Sequence, residues 1–198
     1  MAKSATKIFL KDVASGELRE AELFQGIQER HLTDVEGIWQ PALILLERWS
    51  GFDHRQESAH WNWRAKMKHA RRKRTQQSFA IVYRDVTQGL MIVDPTREAR
   101  LKPDRDKRLV YLDYLEVAPW NRPGWQPHRV FQSVGTVLVR AAIQVSLDNG
   151  HDGRIGLHSL PQADNFYCNL GMTNLGPDAD YQNLCYFEFD SPAHTQKD

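Results

Sequence analysis

The most regular pattern in the chain runs from Leu109 to Gly150. Val110, Leu112 and Tyr114 alternate with Tyr111, Leu115 and Val117, a period of two that predicts a strand apolar on both faces. Pro119 ends this strand, because proline lacks the N–H that a ladder needs. A loop rich in Pro, Gly and Trp follows. Phe131, Val134, Leu138, Ala141 and Val145 then recur at helical spacing, and Asn149-Gly150 closes the helix. A strand feeding a loop that opens a helix aims free N–H groups and the helix dipole at one spot. Such a spot is an anion site.

The rest of the chain reads as shorter elements. Lys7–Asp12 and Leu18–Phe24 are strands joined by a Ser15-Gly16 turn. Thr33-Asp34-Val35-Glu36 fits a capping box, with Thr33 as the cap. Behind it Val35, Ile38, Trp39, Ala42, Leu45, Leu46 and Trp49 form a helical stripe that Gly51 stops. Pro41 either kinks that helix or opens a second one. Glu57–Arg74 is a further helix, with Ala59, Trp63, Met67 and Ala70 as its apolar stripe.

Ser78–Arg84 and Gly89–Val93 form a hairpin that turns over Asp85–Gln88, and a charged loop spans Asp94–Arg108. Beyond the central helix come a strand, Arg154–Leu160, a short helix, Pro161–Leu170 ended by Gly171, and a last strand, Leu184–Phe189. The tail from Ser191 reads as disordered. The order, β–β–α–(α)–β–β–β–α–β–α–β, describes one mixed-sheet α/β domain over residues 1–190, with a flexible tail over 191–198.

Composition narrows the class. The chain has 198 residues, 41% of them apolar, which suits one sizeable domain. No run approaches the roughly twenty apolar residues of a membrane span, and the N-terminus lacks the apolar core of a secretory signal. With Cys168 and Cys185 as its cysteines and no CxxC spacing, the chain reads as reduced and cytoplasmic. The net charge of +1 hides an asymmetry. Trp61–Arg108 holds fourteen Lys/Arg against five Asp/Glu (14 − 5 = +9), and Gly150–Asp198 holds two against seven (2 − 7 = −5). The basic part includes Arg64, Lys66, Lys68, Arg71, Arg72, Lys73 and Arg74 on the Glu57–Arg74 segment. A solvated helix face explains such a run, and so does a patch for nucleic acid or another polyanion.

Two local patterns then give a resemblance. Leu115-Glu116-Val117-Ala118-Pro119, followed by Val134-Gly135-Thr136-Val137-Leu138, resembles the strand-to-helix acyl-CoA signature of the GNAT N-acyltransferases. Ala163 to Met172 (ADNFYCNLGM) is similar to that family's A-x-x-[LF]-Y-x-x-x-G-[FM] segment. The resemblance covers most of the chain from Thr33 onward. It implies a GNAT-like mixed sheet whose parallel pair splays at the centre, and acetyl-CoA as acyl donor. The family's loop carries two or three glycines where this chain keeps Gly135, with Ser133 where another is expected. The stretch from Pro119 to Gly135 is also long for a βα loop.

Acetyl transfer to an amine needs a proton acceptor for the amine, donors for the oxyanion and a proton for the departing thiolate. The resemblance implies that Tyr167 supplies the thiolate's proton and that the Leu115–Val117 backbone holds the oxyanion. It also implies that backbone N–H groups at Phe131, Gln132, Ser133, Val134, Gly135 and Thr136 grip the pyrophosphate. Arg129 is the expected charge partner of the phosphates, with Arg122 second, and Ser159 a ligand of the pantetheine or of a water. The base is open among Glu116, Asp113 and His158, ranked in that order, and period two puts Glu116 and Asp113 on opposite strand faces. Cys168, next to Tyr167 on a short helix, reads as buried. The eight histidines form no metal-ligand spacing, so no metal is expected.

The expected function is acetyl transfer from acetyl-CoA to a primary amine of a small molecule or protein. The alternative is an inactive module on the same fold whose basic helix contacts a polyanion. The Trp120–His128 loop would cover the cofactor, line the acceptor site or make a homodimer contact.

Overall fold

The computed structural model describes residues 5–50, 57–58, 60–123 and 129–189, with side chains described outside 46–50. Among the described residues, eight strands form one mixed sheet in the order β1-β2-β3-β4-β5-β6-β8-β7. The chain resolves into two compact units, Met1–Met91 with Leu115–Leu138, and Ile92–Tyr114 with Val139–Asp198.

The first unit opens with β1 (Ala5–Lys11) and β2 (Leu18–Gln25), an antiparallel hairpin in register from Ala5↔Phe24 to Lys11↔Leu18. Asp12 fixes its turn by accepting the N–H groups of Ala14 and Ser15 at 2.9 and 3.1 Å. Helix α1 (Glu29–Asp34) begins before the expected capping box. Gln28 is the cap, its N–H donated to His31 Nδ1 at 3.0 Å, and Thr33 lies inside the helix with its hydroxyl on Glu29 O. A π-helical turn, Val35–Trp39, then carries the chain into α2 (Gln40–Ser50), with the Gln40 N–H on Val35 O. This wider turn absorbs Pro41 without a break. Val35 and Trp39 are buried, whereas Ile38 and Leu45 are 40% and 56% exposed, so the anticipated stripe is not one buried face. Gly51 lies outside the described residues.

Helix α3 (Trp63–Ala70) is shorter than the Glu57–Arg74 helix the sequence suggests. Asn62 caps it by accepting the Ala65 N–H at 2.8 Å, and Arg71–Arg74 turn away beyond its end. Trp63, Met67 and Ala70 are buried as their spacing predicts. Strands β3 (Gln77–Tyr83) and β4 (Val86–Glu98) turn over Arg84 and Asp85, with φ of 47° and 64°. Two consecutive left-handed residues make the tight hairpin turn that matches strand twist, so Thr87 and Gln88 belong to the strand.

The second unit contains the far end of β4, most of β5 (Arg108–Val117) and the rest of α4 (Val134–Asp148). It continues through β6 (Ile155–Ser159), α5 (Asp164–Asn169), β7 (Thr173–Asp178) and β8 (Leu184–Phe189). β4 runs on past Asp94 and Pro95, so the charged loop shrinks to the residues after Glu98. Buried Asp94 satisfies the turn-prone stretch by accepting Thr96 N–H and Oγ1 at 3.0 and 2.6 Å. β7 is an element that period reading misses. It is an edge strand carrying Gly176 and Pro177, with a register shift between Asn174 and Pro177, and edge strands tolerate proline. Among the described residues no helix is long and apolar enough to cross a membrane.

Candidate functional site

The end of β5 and the start of α4 lie in the first unit. The long segment between them is drawn into a neck. Val130 N–H donates to Trp120 O at 2.8 Å, and Asn121 Oδ1 accepts the Phe131 N–H at 3.0 Å. Gln88 fastens the near side, its Oε1 receiving Trp120 Nε1 and Asn121 Nδ2, both at 2.9 Å. Past the neck the chain docks on the first hairpin. Phe131 bridges to Asp12, Gln132 N–H goes to Lys11 O at 3.1 Å, and Ser133 Oγ accepts Lys11 N–H at 3.1 Å. This detour accounts for the unusual loop length. Residues 124–128 of the Trp120–His128 loop lie outside the described residues.

Two of the expected phosphate donors are thereby committed, the N–H groups of Phe131 and Gln132. The N–H groups of Ser133, Val134, Gly135 and Thr136 open α4 and precede its first turn of bonding, in which Val137 N–H reaches Ser133 O. No acidic residue sits in the first turn of α4, and Arg129 forms no ion pair among the described residues. Gly89 lets α4 lie close, since a Cβ there would stand 2.8 Å from Val134 Cγ1 and 3.0 Å from Leu138 Cδ1.

Glu116 is 8% exposed and already engaged. Its carboxylate accepts Ser58 Oγ at 2.8 Å, the Trp63 indole N–H, and Arg122 at 2.6 Å. Arg122 also donates Nε to Val117 O at 3.0 Å, so it braces the strand end and is not available to a phosphate. This ion pair was not visible in the sequence because Ser58, Trp63 and Arg122 are brought to Glu116 from three separate segments.

In the second unit, β5 and β6 pair in parallel at Val110↔Ile155 and Tyr111↔Gly156. The pairing stops there although both strands run on, β6 to Ser159 with its other edge held by β8. The pair therefore opens, and beyond Tyr111 and Gly156 the facing edges of β5 and β6 no longer pair with each other. Ser159 is buried, its hydroxyl donated to Leu160 O at 2.9 Å. Tyr167 on α5 is buried between Phe166 and Phe187, with ring centroids at 5.0 and 5.8 Å. Burial pushes its phenol pKa up, so it stays protonated at neutral pH. Cys168, expected inside, is exposed, because the helix turns one position past Tyr167 to its outer face.

His158 has both ring nitrogens engaged. Nδ1 is 2.6 Å from the Tyr111 hydroxyl and Nε2 is 2.9 Å from Asp178 Oδ2. Tyr181 stacks on its ring at 3.8 Å with an interplanar angle of 5°. Burial lowers its pKa, against the pull of Asp178, which leaves a neutral imidazole that accepts from Tyr111 and donates to Asp178. Asp178 is held ionised at about 2, chiefly by its bonds to Arg100 (2.6 Å) and His158. Asp113 is half-buried, and its charge raises the phenol pKa of Tyr114, though burial does so more. Tyr111, Asp178 and Arg100 escaped the sequence reading because their meeting depends on β7, whose Gly and Pro hide it. Among the described residues no cluster of His, Cys, Asp and Glu is placed to hold a metal.

No family model matches the chain, and no curated protein matches its sequence. Solved structures do match. A GNAT-family protein from Desulfovibrio desulfuricans aligns at 11% identity over 86% of this chain and 98% of that one, TM-score 0.57. One from Staphylococcus aureus aligns at 13% identity over 85% and 97%, TM-score 0.52. A chain of the KacTA–DNA complex aligns at 19% identity over 74% and 87%, TM-score 0.50. The mixed sheet, with its parallel β5–β6 pair, is thus the fold of the GNAT acetyltransferases.

Proposed function

We propose that the chain is an N-acetyltransferase that moves an acetyl group from acetyl-CoA to a primary amine. The observation that carries this reading is the opening of β5 from β6. An interrupted ladder leaves backbone donors and acceptors that an extended ligand bearing amides, such as a pantetheine arm, can satisfy. Ser133, Val134, Gly135 and Thr136 would hold the pyrophosphate with their N–H groups, and Arg129 would balance its charge. Leu115 and Val117 would supply backbone contacts to the thioester, and Ser159 a hydroxyl acceptor.

The bonds already present support one proton route. Glu116 is tied into an ion pair, so His158 takes the role of base through the Tyr111 hydroxyl, with Asp178 orienting the ring. Tyr111 accepts a proton from the ammonium as its own proton passes to His158 Nδ1. Tyr167, kept protonated by burial, gives its proton to the departing sulfur. The amine nitrogen loses two protons in all: one leaves to solvent by way of His158, and the other replaces the one given up by Tyr167.

Titration calorimetry with acetyl-CoA, coupled to a free-thiol assay on a panel of amines, tests the reading. Binding and amine-dependent thiol release are expected. Y167F should lower kcat about a hundredfold with little change in KM for acetyl-CoA. The rate should hold above pH 6.5 and fall on the acid side as His158 is protonated, because its pKa lies below that ordinary value. No binding at about 1 mM acetyl-CoA would sink the proposal.

A second reading has its own observation. Lys68, Arg71, Arg72, Lys73 and Arg74 form no ion pair among the described residues, whereas Arg64 is neutralised by Glu29 and Glu36 at 2.5 and 2.9 Å. Arg71, Lys73 and Arg74 line a pocket of about 450 Å³ with Gln25 and Ser78. This surface suits a polyanion, and it is compatible with acetyl transfer.

A further inference from the structure

The second unit holds a pocket of about 370 Å³ lined by Thr96, Arg97, Glu98, Arg100, Tyr111, Tyr181 and Tyr186, in which the Glu98 carboxylate is already paired with Arg108 at 3.7 Å. That size falls within the range of small-molecule sites, roughly 300–1,000 Å³. Its aromatic walls are fixed in place. The Tyr111 hydroxyl is tied to His158, and the Tyr186 hydroxyl donates to buried Glu188 at 3.0 Å. Tyr181 lies flat on His158, which holds its ring in place where it lines the pocket. Asp178 Oδ1 holds the turn that carries Tyr181 by accepting the Asp180 N–H at 3.0 Å. A ligand entering here meets rings whose ordering cost has already been met.

The two cations differ. Arg100 lies over the Tyr186 ring at 4.2 Å and is bonded to Asp178, while its backbone N–H goes to Glu188 at 2.7 Å. Arg97 lies over the Tyr111 ring at 5.5 Å and forms no ion pair among the described residues. A guanidinium stacked on an aromatic ring keeps its N–H edge free for a carboxylate in bidentate geometry. The pocket thus offers a flat apolar face at Tyr181, an anion site at Arg97 and a hydroxyl at Tyr111 that leads to a neutral imidazole.

We infer that this pocket holds the amine acceptor and that the acceptor is an aromatic α-amino acid: ring on Tyr181, carboxylate on Arg97, amine at the Tyr111 hydroxyl. The inference rests on the acetyltransferase reading for the fate of the amine, but binding itself does not. In the transfer, the amine nitrogen forms a bond to the acetyl carbon as the carbon–sulfur bond of acetyl-CoA breaks. The products are an N-acetyl amino acid and the CoA thiol.

Calorimetry on the full chain without acetyl-CoA separates the two claims. L-tryptophan and L-phenylalanine should bind with Kd below about 1 mM, and tryptamine, which lacks the carboxylate, about tenfold more weakly. R97Q, at an exposed side chain, should lose about tenfold in affinity for the amino acids, keep its affinity for tryptamine and melt as the parent does. Y181L should weaken all three ligands. If neither amino acid binds at about 5 mM, or if R97Q binds them as the parent does, the assignment is wrong whatever acetyl-CoA does. If they bind and acetyl-CoA does not, the pocket stands and the acetyltransferase reading falls.

Discussion

His31 shows how one residue couples a local cap to the stability of its unit. It is fully buried, and its Nδ1 accepts the Gln28 N–H that opens α1. An acceptor nitrogen must be unprotonated, and burial with the neighbouring Arg30 cation lowers the folded-state pKa from 6.5 to about 4. The unfolded chain takes up this proton near 6.5 and the folded one only near 4. The contribution is therefore complete above pH 6.5, is lost as pH falls from 6.5 to 4, and changes no further below that. A gap of this size corresponds to about 3 kcal/mol. Denaturant melts from pH 7 to pH 4 should show H31Q with lower stability at pH 7 and a flatter acid limb, the two proteins converging near pH 4. Parallel pH curves for the two proteins would remove His31 from the account.

Between elements, the contacts that matter are set by register, and here the second unit is tightly specified. Gly156 on β6 pairs with Glu188 on β8 and lies under the side chain of Tyr186, two residues along, so a Cβ at that position would stand 3.1 Å from Tyr186 Cζ and 3.3 Å from Leu109 Cδ2. Tyr186 has little freedom to move aside, because Glu188 holds its hydroxyl and Arg100 covers its ring. G156A should cost about 1–3 kcal/mol in thermal or urea melts. Y186F, which removes the hydroxyl nearest that Cβ, should destabilise the parent yet recover part of the loss in the G156A background. A penalty under about 0.5 kcal/mol for G156A would show that β6 and β8 are not packed this closely.

The same dependence on register explains what was legible in the sequence. The alternation of Val110 to Val117 and the helical spacing of Val134 to Val145 are local, so the central strand and helix were readable, and the Tyr167 segment identified the fold. The capping box at Thr33 was outcompeted by a cap that uses His31, which no standard cap pattern contains. β7 was hidden by Gly176 and Pro177, and with it went Asp178, the partner that makes His158 more than a strand-end histidine. Glu116 was placed on the right strand, but its three partners are far away in sequence, so its ion pair could not be foreseen.

At the scale of the whole chain, the charge asymmetry resolves into paired and unpaired cations. Within Trp61–Arg108, Arg64 meets Glu29 and Glu36, Arg100 meets Asp178, Lys107 meets Asp104 and Arg108 meets Glu98. Lys68 and Arg71–Arg74 meet no carboxylate among the described residues, and only the first of the five lies on α3. Cations clustered so closely repel one another, and a phosphate backbone relieves that repulsion while releasing its own counterions. Five contacts to single-stranded nucleic acid would give log K against log salt a slope of about −3.5, so each doubling of salt should weaken binding about tenfold. Fluorescence anisotropy with a labelled single-stranded RNA, titrated at several salt concentrations, reads that slope directly. A variant with Arg71, Arg72, Lys73 and Arg74 all changed to Gln should bind far more weakly and show a slope near −0.7, the value for the one remaining cation. Binding in the parent that ignores salt, or that survives the fourfold change, would leave this run of cations as a solvated surface, and acetyl-CoA binding would be unaffected in either case.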